Sequence, residues 1–162
     1  MENKAFTVTD DLVASRGQRF LNLVIDLFVQ YIIGSSIGAT IVLVAEISTN
    51  YTLSNWLDSL DRMSKFFIGL LILAIYYYLT EMYFSRTIAK YFTKTLVVMK
   101  DGSKPNAYTI IKRTLCRFIP FEAFTFLGSN ARGWHDVFSN TYVVKKHLFN
   151  EKKSCLNLLN NY

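Results

Sequence analysis

Charge is what this sequence has least of. Asp, Glu, Lys and Arg make up 19% of its 162 residues, where an average soluble domain has roughly 25%. Cysteine is scarce as well: Cys116 and Cys155 lie far apart and neither has a C-x-x-C partner, which removes the grounds for a disulfide framework or a structural zinc site. The GxxxxGK[ST] framework that cradles a nucleotide phosphate is missing. So is any Ser or Cys nucleophile motif. There is no internal repeat and no low-complexity segment long enough to interpret. Apolar residues reach 51%, aromatics reach 15% through 13 Phe, 10 Tyr and 2 Trp, and the mean hydropathy is +0.21. A disordered tail or a collagen-like fibre is excluded, and at 18.7 kDa the chain suits one domain, residues 1–162, in a membrane.

Two apolar runs carry that reading. From Phe20 to Ala45 there is no Lys or Arg and one acid, Asp26. At 1.5 Å per residue the run is long enough to cross a hydrocarbon core of about 30 Å. Its length and the ionisable Asp26 argue for a retained anchor rather than a signal peptide. Gly34, Ser35, Ser36, Gly38 and Ala39 form a small-residue stretch suited to close helix packing. The second run, Phe66 to Phe84, carries only Glu81, near its end. Tyr76, Tyr77, Tyr78 and Tyr83 gather toward that end, while Tyr51 and Trp56 precede the run, as interfacial aromatics do.

The bases are sorted along the chain. Between the runs, Glu46 to Lys65 holds three acids and two bases; Glu81 to Asn106 holds five bases against two acids, and the tail from Ala131 repeats that ratio. Lys and Arg excess marks the cytoplasmic side. The expected topology therefore has both termini inside and the first connecting loop outside. The net charge of +6 is then an orientation signal, and nucleic acid is not expected as a partner because the aromatics lie in the spans and at their ends.

From Ala107 to Leu127, Lys112, Arg113, Arg117, Pro120 and Glu122 interrupt the apolar character, and no charge-free run is long enough to cross. The spacing predicts an amphipathic helix, interfacial or re-entrant, with its bases against anionic headgroups. Two β-branched runs, Thr95 to Lys100 and Thr141 to Lys145, predict a strand pair, the first closed by Asp101-Gly102. The fold class expected is all-α integral membrane: two full transmembrane helices (about 20–45 and 66–84), a third amphipathic or re-entrant helix (about 107–127), and a small cytoplasmic strand pair.

Arg19 and Asp26 at the head of the first run, Ser85-Arg-Thr-Ile-Ala-Lys90 after the second, and Gly133-Trp-His-Asp136 before the last strand occur in an order that resembles the RDD family of bacterial membrane proteins, named for one arginine and two aspartates. The resemblance covers about Ser15 to Lys145. ASRGQRFLNLVIDLFVQYI is similar to the family's opening helix. YYYLTEMYFSRTIAKYFTKTLVVMKDGSKPN is similar to its glutamate, GRTIGK-like loop and strand, and GWHDVFSNTYVV to its closing elements. The family arginine falls on Arg19 and the aspartates on Asp26 and Asp136. Ser85 and Ala89 stand where the family loop usually has glycines, so a positive φ at either would be strained.

Arg19 and Asp26, seven residues apart, share one helix face about 10.5 Å apart along the axis. A charge at the depth of Asp26 needs a partner. Arg113, Arg117 or Lys90 can supply it, or a protonated Asp26 can bond to Gln30 or a serine hydroxyl. Glu81, Arg86, Lys90, Arg113 and Arg117 are the supporting polar residues, and Arg86, Lys90 and Lys94 recur every four residues with the same capacity for headgroups. Adjacent His135 and Asp136 point apart on any regular backbone, so a turn, a cap or an ion pair is expected of Asp136 and no enzyme activity, metal or cofactor is expected of the chain. The resemblance implies the bacterial cytoplasmic (inner) membrane. The function expected is an accessory or assembly subunit of a membrane complex, as a homo-oligomer or with a larger membrane protein. The alternative is an oligomeric ion or small-molecule transporter using Asp26.

Overall fold

A computed structural model describes residues 6–127 and 132–160. Among them the elements run α1 (Arg16–Ser48), α2 (Thr52–Ser59), α3 (Arg62–Phe84), α4 (Ile88–Phe92), β1 (Thr95–Met99), α5 (Ala107–Cys116), α6 (Trp134–Phe138), β2 (Thr141–Lys145) and α7 (Lys146–Asn160), with 3-10 turns at Asp10–Leu12 and Glu122–Leu127. The two long helices, α1 of 33 residues and α3 of 23, are apolar and long enough to cross a membrane.

Both long helices begin before their apolar runs because polar caps start them. The Ser15 hydroxyl accepts from the Gln18 N–H at 3.2 Å, and the Gln18 side chain accepts from the Ser15 N–H at 3.0 Å. This reciprocal pair satisfies two amides of the first turn of α1. The Asp61 carboxylate does the same for α3, taking the N–H groups of Met63 and Ser64 at 3.2 and 3.3 Å. α5 starts on Asn106, whose side chain accepts from the Thr109 N–H at 2.8 Å. It ends at Cys116 rather than continuing to 127. Pro120 has no N–H to donate to a further helical turn, so the chain there runs on through tight turns into the Glu122–Leu127 helix.

The chain divides into two units. Leu27–Tyr76 is one, holding the later part of α1, the whole of α2 and the earlier part of α3. Its large apolar side chains face outward, Phe28, Tyr31, Leu43 and Leu71 among them. A Cβ added at Gly34, Gly38 or Gly69 would meet no atom within 4 Å. Such a surface suits hydrocarbon as its solvent.

The other unit joins the residues up to Asp26 with those from Tyr77 onward. β1 and β2 pair antiparallel, with Val97 opposite Val143 and Thr95 opposite Lys145. Alternate side chains of a strand point to opposite faces. On one face Val98 and Val144 close a small apolar core with Leu12 and Phe149, against which Phe6 packs. On the other face lie Thr95, Val97, Thr141 and Val143, all buried. The turn after β1 needs its glycine: Gly102 has φ +74°, and a Cβ there would sit 2.5 Å from the Phe6 ring. Ser85, one of the two family-glycine positions, does adopt a positive φ of 55°. It closes α3 in the left-handed region, a conformation costing a non-glycine residue about 1 kcal/mol or more. Its carbonyl accepts the Val97 N–H at 2.8 Å, which ties the end of α3 to β1.

Candidate functional site

The first turns of α1 place Arg19, Asn22 and Asp26 on one buried face. These residues do not pair with one another; each reaches a different part of the fold. Arg19 donates through Nη1 to the Asp136 carboxylate on α6. Asn22 donates to the Thr95 hydroxyl at 3.3 Å and accepts from the Thr93 hydroxyl at 2.6 Å, bonding α1 to the start of β1. Asp26 accepts from the Thr87 hydroxyl at 2.8 Å and from the Ala89 N–H at 3.3 Å. Thr87 is the residue that caps α4. Asp26 thus reinforces the start of that helix and holds it against α1.

Glu81, fully buried on α3, is met by three cations. Its Oε2 accepts from Arg113 Nε at 3.0 Å; its Oε1 accepts from Lys90 Nζ at 3.0 Å and from Arg117 Nη2 at 2.9 Å. Arg113, with no exposed surface, also donates through Nη1 to the Asp136 carboxylate and the Thr141 hydroxyl. One guanidinium therefore bridges the carboxylates of α3 and α6, and Arg19 extends the chain of pairs to α1. Arg117 lies over the Tyr77 ring, 3.8 Å from its centroid. The planar fork of arginine suits this geometry, since separate N–H groups can serve two acids at once.

A second arm leaves from α6. The Glu122 carboxylate accepts from the His135 backbone N–H at 3.1 Å and contacts His135 Nδ1, while His135 Nε2 lies 3.4 Å from Asp136. Gly133 leaves the room for this clasp: a Cβ there would come within 3.0 Å of both the imidazole and the Glu122 carboxylate. Arg132 covers the Tyr142 ring and donates to the Thr141 and Asp136 carbonyls at 3.1 and 3.3 Å.

Burial opposes ionisation of Asp136, but His135 when it carries a proton, and Arg19 and Arg113 at every pH, outweigh it and hold its carboxyl well below the usual range. Burial likewise pushes His135 below its usual value, against the pull of Asp136 and Glu122 and with the push of Arg117 and Arg113. At neutral pH the imidazole is then uncharged, and the arginines carry the compensation of Asp136. Arg19, Lys90, Arg113 and Arg117 are matched one for one by Asp26, Glu81, Glu122 and Asp136, the condition under which buried charge is tolerable.

His135 gives this centre a pH signature. Its folded pKa is lowered, so as pH falls through 6.5 the unfolded chain takes up a proton that the folded site refuses, and stability declines toward acid. The expected outcome is a thermal midpoint that falls between pH 7.5 and 5.5 in the wild type and falls less in His135→Gln. Equal slopes for the two proteins in detergent-solubilised melts would remove His135 from this role.

Of the residues expected from the sequence, Arg19, Glu81, Lys90, Arg113, Arg117 and Asp136 come together in one ion cluster, with Asp26 beside it. Arg86 stands apart, 4.6 Å from the Tyr91 ring. Asp136 has the ion pair expected of it. Arg113 and Arg117 do not face headgroups as expected: they turn into the protein, and Tyr108, Ile111 and Leu115 occupy the exposed face of α5 instead. The interior they enter holds Glu81 and Asp136, so the charged side of the helix is its inward side. Asn22, Thr87, Thr95, Glu122, His135 and Thr141 complete the cluster without having been expected there. Asn22 had a signal in its spacing, lying three residues after Arg19 and four before Asp26 on the same helix face, and Thr87, His135 and Thr141 had one in lying within the family-like segments. Among the described residues no group of His, Cys, Asp and Glu is arranged to hold a metal ion.

Neither a curated protein nor a solved structure matches the chain. A family model does: the RDD family, over residues 13–141. That range runs from just before α1 to the first residue of β2 and takes in every member of the ion cluster, Arg19 and Asp136 within it and Asp26 beside it. The chain belongs to the RDD family.

Proposed function

We propose that this domain spans the bacterial cytoplasmic membrane twice with both termini inside, and serves as an accessory or assembly subunit of a larger membrane complex. The observation that carries the reading is that its buried carboxylates are held by fixed donors within the same domain: Asp26 by Thr87 and Ala89, Glu81 by three cations, Asp136 by two arginines. A proton or cation pathway needs a carboxylate that is free to change partners. Here each one fastens one element to another, so the charges act as a clamp. Beyond Asp26, α1 carries no ionisable group until Glu46 except the phenol of Tyr31, and α3 has only tyrosines between Lys65 and Glu81, which leaves no carboxylate relay across the apolar middle. The small residues Gly34, Ser35, Ser36, Gly38 and Ala39, with open space at both glycines, let another helix approach closely.

Extraction from native membrane in mild detergent should yield the chain in fixed stoichiometry with a larger membrane protein, and Gly38→Leu, in the small-residue stretch, should weaken that association; a chain that elutes alone would reject the reading. The transporter alternative is decided by Asp26→Asn. Asparagine keeps one oxygen for the Thr87 hydroxyl and loses the second acceptor, costing about 1–2 kcal/mol. Ion flux into liposomes is expected to be at background for both the wild type and this variant. A pH-gradient-dependent flux that Asp26→Asn abolishes would favour transport.

A further inference from the structure

Residues 107–127, α5 and the turns that follow it, are inside out in their polarity. Of the four charged residues between positions 107 and 127, Arg113, Arg117 and Glu122 are turned into the ion cluster, and Lys112 alone is exposed. The outward side chains are apolar: Ile111, Leu115, Phe118, Phe121 and Phe124, with Phe121 80% exposed. Trp134 and Phe138 of α6, which packs on α5, continue the same surface. A soluble monomer rarely leaves so large an apolar patch to water.

Its depth can be read from its contacts. Arg117 lies over Tyr77, and Tyr77 is seven residues before the end of α3 at Phe84, about 10 Å along the helix axis. If the apolar run of α3 fills the bilayer, Arg117 sits about a third of the way into a hydrocarbon core of about 30 Å. Irregular backbone is tolerated there only when its polar groups are satisfied internally. In the stretch after α5, Phe118, Ile119, Glu122 and Phe124 donate their N–H groups to the carbonyls three residues earlier at 3.0–3.2 Å, and Pro120 has none to satisfy. The Trp134 N–H donates to the Thr125 hydroxyl at 3.0 Å.

We infer that α5, the Glu122–Leu127 turn and α6 form a re-entrant wedge in the cytoplasmic leaflet, with its aromatic face in contact with lipid acyl chains and the ion cluster sealed behind it. The occupant of this face is lipid hydrocarbon because the face lies level with the stretch from Tyr77 to Phe84 that ends the apolar run of α3, where a water-soluble partner has no access. The inference rests on α3 spanning the membrane, as proposed above.

The test uses the full chain in nanodiscs of phosphatidylethanolamine and phosphatidylglycerol. Its two tryptophans make it convenient: Trp56→Phe leaves Trp134 as the sole reporter, and Trp56→Phe with Trp134→Phe and Phe121→Trp moves the reporter to the tip of the wedge. Phosphatidylcholine brominated partway down its acyl chains should at least halve the emission of the Phe121→Trp reporter, and aqueous iodide should change it by less than a fifth. The reverse, strong iodide quenching with little from bromolipid, overturns the wedge and leaves the face to a protein partner. Asn55→Cys in a Cys116→Ser, Cys155→Ser background separates this failure from that of the spanning topology. Labelling of intact cells by an impermeant maleimide at Asn55→Cys, with an aqueous Phe121→Trp, defeats the wedge alone; labelling only after lysis defeats the topology with both termini inside and, with it, the wedge in the cytoplasmic leaflet.

Discussion

Replacing Glu81 with glutamine is expected to cost about 3–5 kcal/mol, the range for breaking a buried ion pair by removing one partner. The two carboxylate oxygens face Lys90, Arg113 and Arg117 at 2.9–3.0 Å. Glutamine offers one acceptor to three cations and aims an NH₂ donor at the rest. Arg113 has no exposed surface and Lys90 is 4% exposed, so neither can turn to water without opening the fold. At about 2–4 °C per kcal/mol for a chain of this size, the thermal midpoint should fall by about 6–20 °C, read by circular dichroism in detergent or nanodiscs. A matched substitution outside the cluster, Glu46→Gln on the exposed end of α1, should move the midpoint by no more than 1–2 °C. A change that small in Glu81→Gln would mean the cluster contributes no more than a surface pair, and the clamp reading would be lost.

Much of the frame was legible in the sequence because apolar runs and β-branched runs act locally. The run 20–45 lies inside α1, the run 66–84 inside α3, and the strand at 141–145 has the expected bounds. What the runs missed are the ends set by hydrogen bonds: the Ser15 to Gln18 pair and the Asp61 cap start the long helices four residues before hydrophobicity does. α7 went unexpected because its sequence KHLFNEKKSCLNLLN is mostly polar, and it is held through Phe149, whose partners Leu12 and Val98 are distant in sequence.

The site was legible as a set of residues and not as a set of pairs. Helical spacing puts Arg19 and Asp26 on one face, but the partner of Arg19 is Asp136, 117 residues away. No periodicity encodes a contact of that range. The inverted orientation of α5 has a related cause. An amphipathic helix announces two faces, and the usual assignment of apolar to inside holds only when the interior is apolar. Here the interior already holds Glu81 and Asp136, and the exterior proposed is lipid, so the assignment reverses. The contact between His135 and Glu122 was not expected because it depends on Gly133, whose missing side chain leaves space that spacing alone does not mark.

The family takes its name from one arginine and two aspartates, yet the residue on which this cluster turns is a second arginine. Arg113 joins Glu81, through Nε, to Asp136 and Thr141, through Nη1. Arg113→Met should therefore cost about 3–5 kcal/mol, because it takes one fully buried cation away from both carboxylates and leaves the cluster one negative charge in excess. Arg113→Lys restores the charge but not the fork: a single ammonium on a flexible stem cannot bond both carboxylates at once. It should recover roughly half of the loss, by the same thermal measurement. The informative variant is the double one. Glu81→Gln leaves the cluster one positive charge in excess, and Arg113→Met leaves it one negative charge in excess; together they restore the balance of cations and acids, at three of each. Neighbours in one ion network couple by about 0.5–3 kcal/mol, so the double variant should be more stable than the sum of the single losses predicts, by an amount in that range. Additive losses would mean that Arg113 and Glu81 act separately, and the pairs from Lys90 to Arg19 could not then be a single clamp joining α1, α3, α5 and α6. A positive coupling would identify charge balance, more than the fit of any one side chain, as the condition that this membrane domain meets in burying four cations beside four carboxylates.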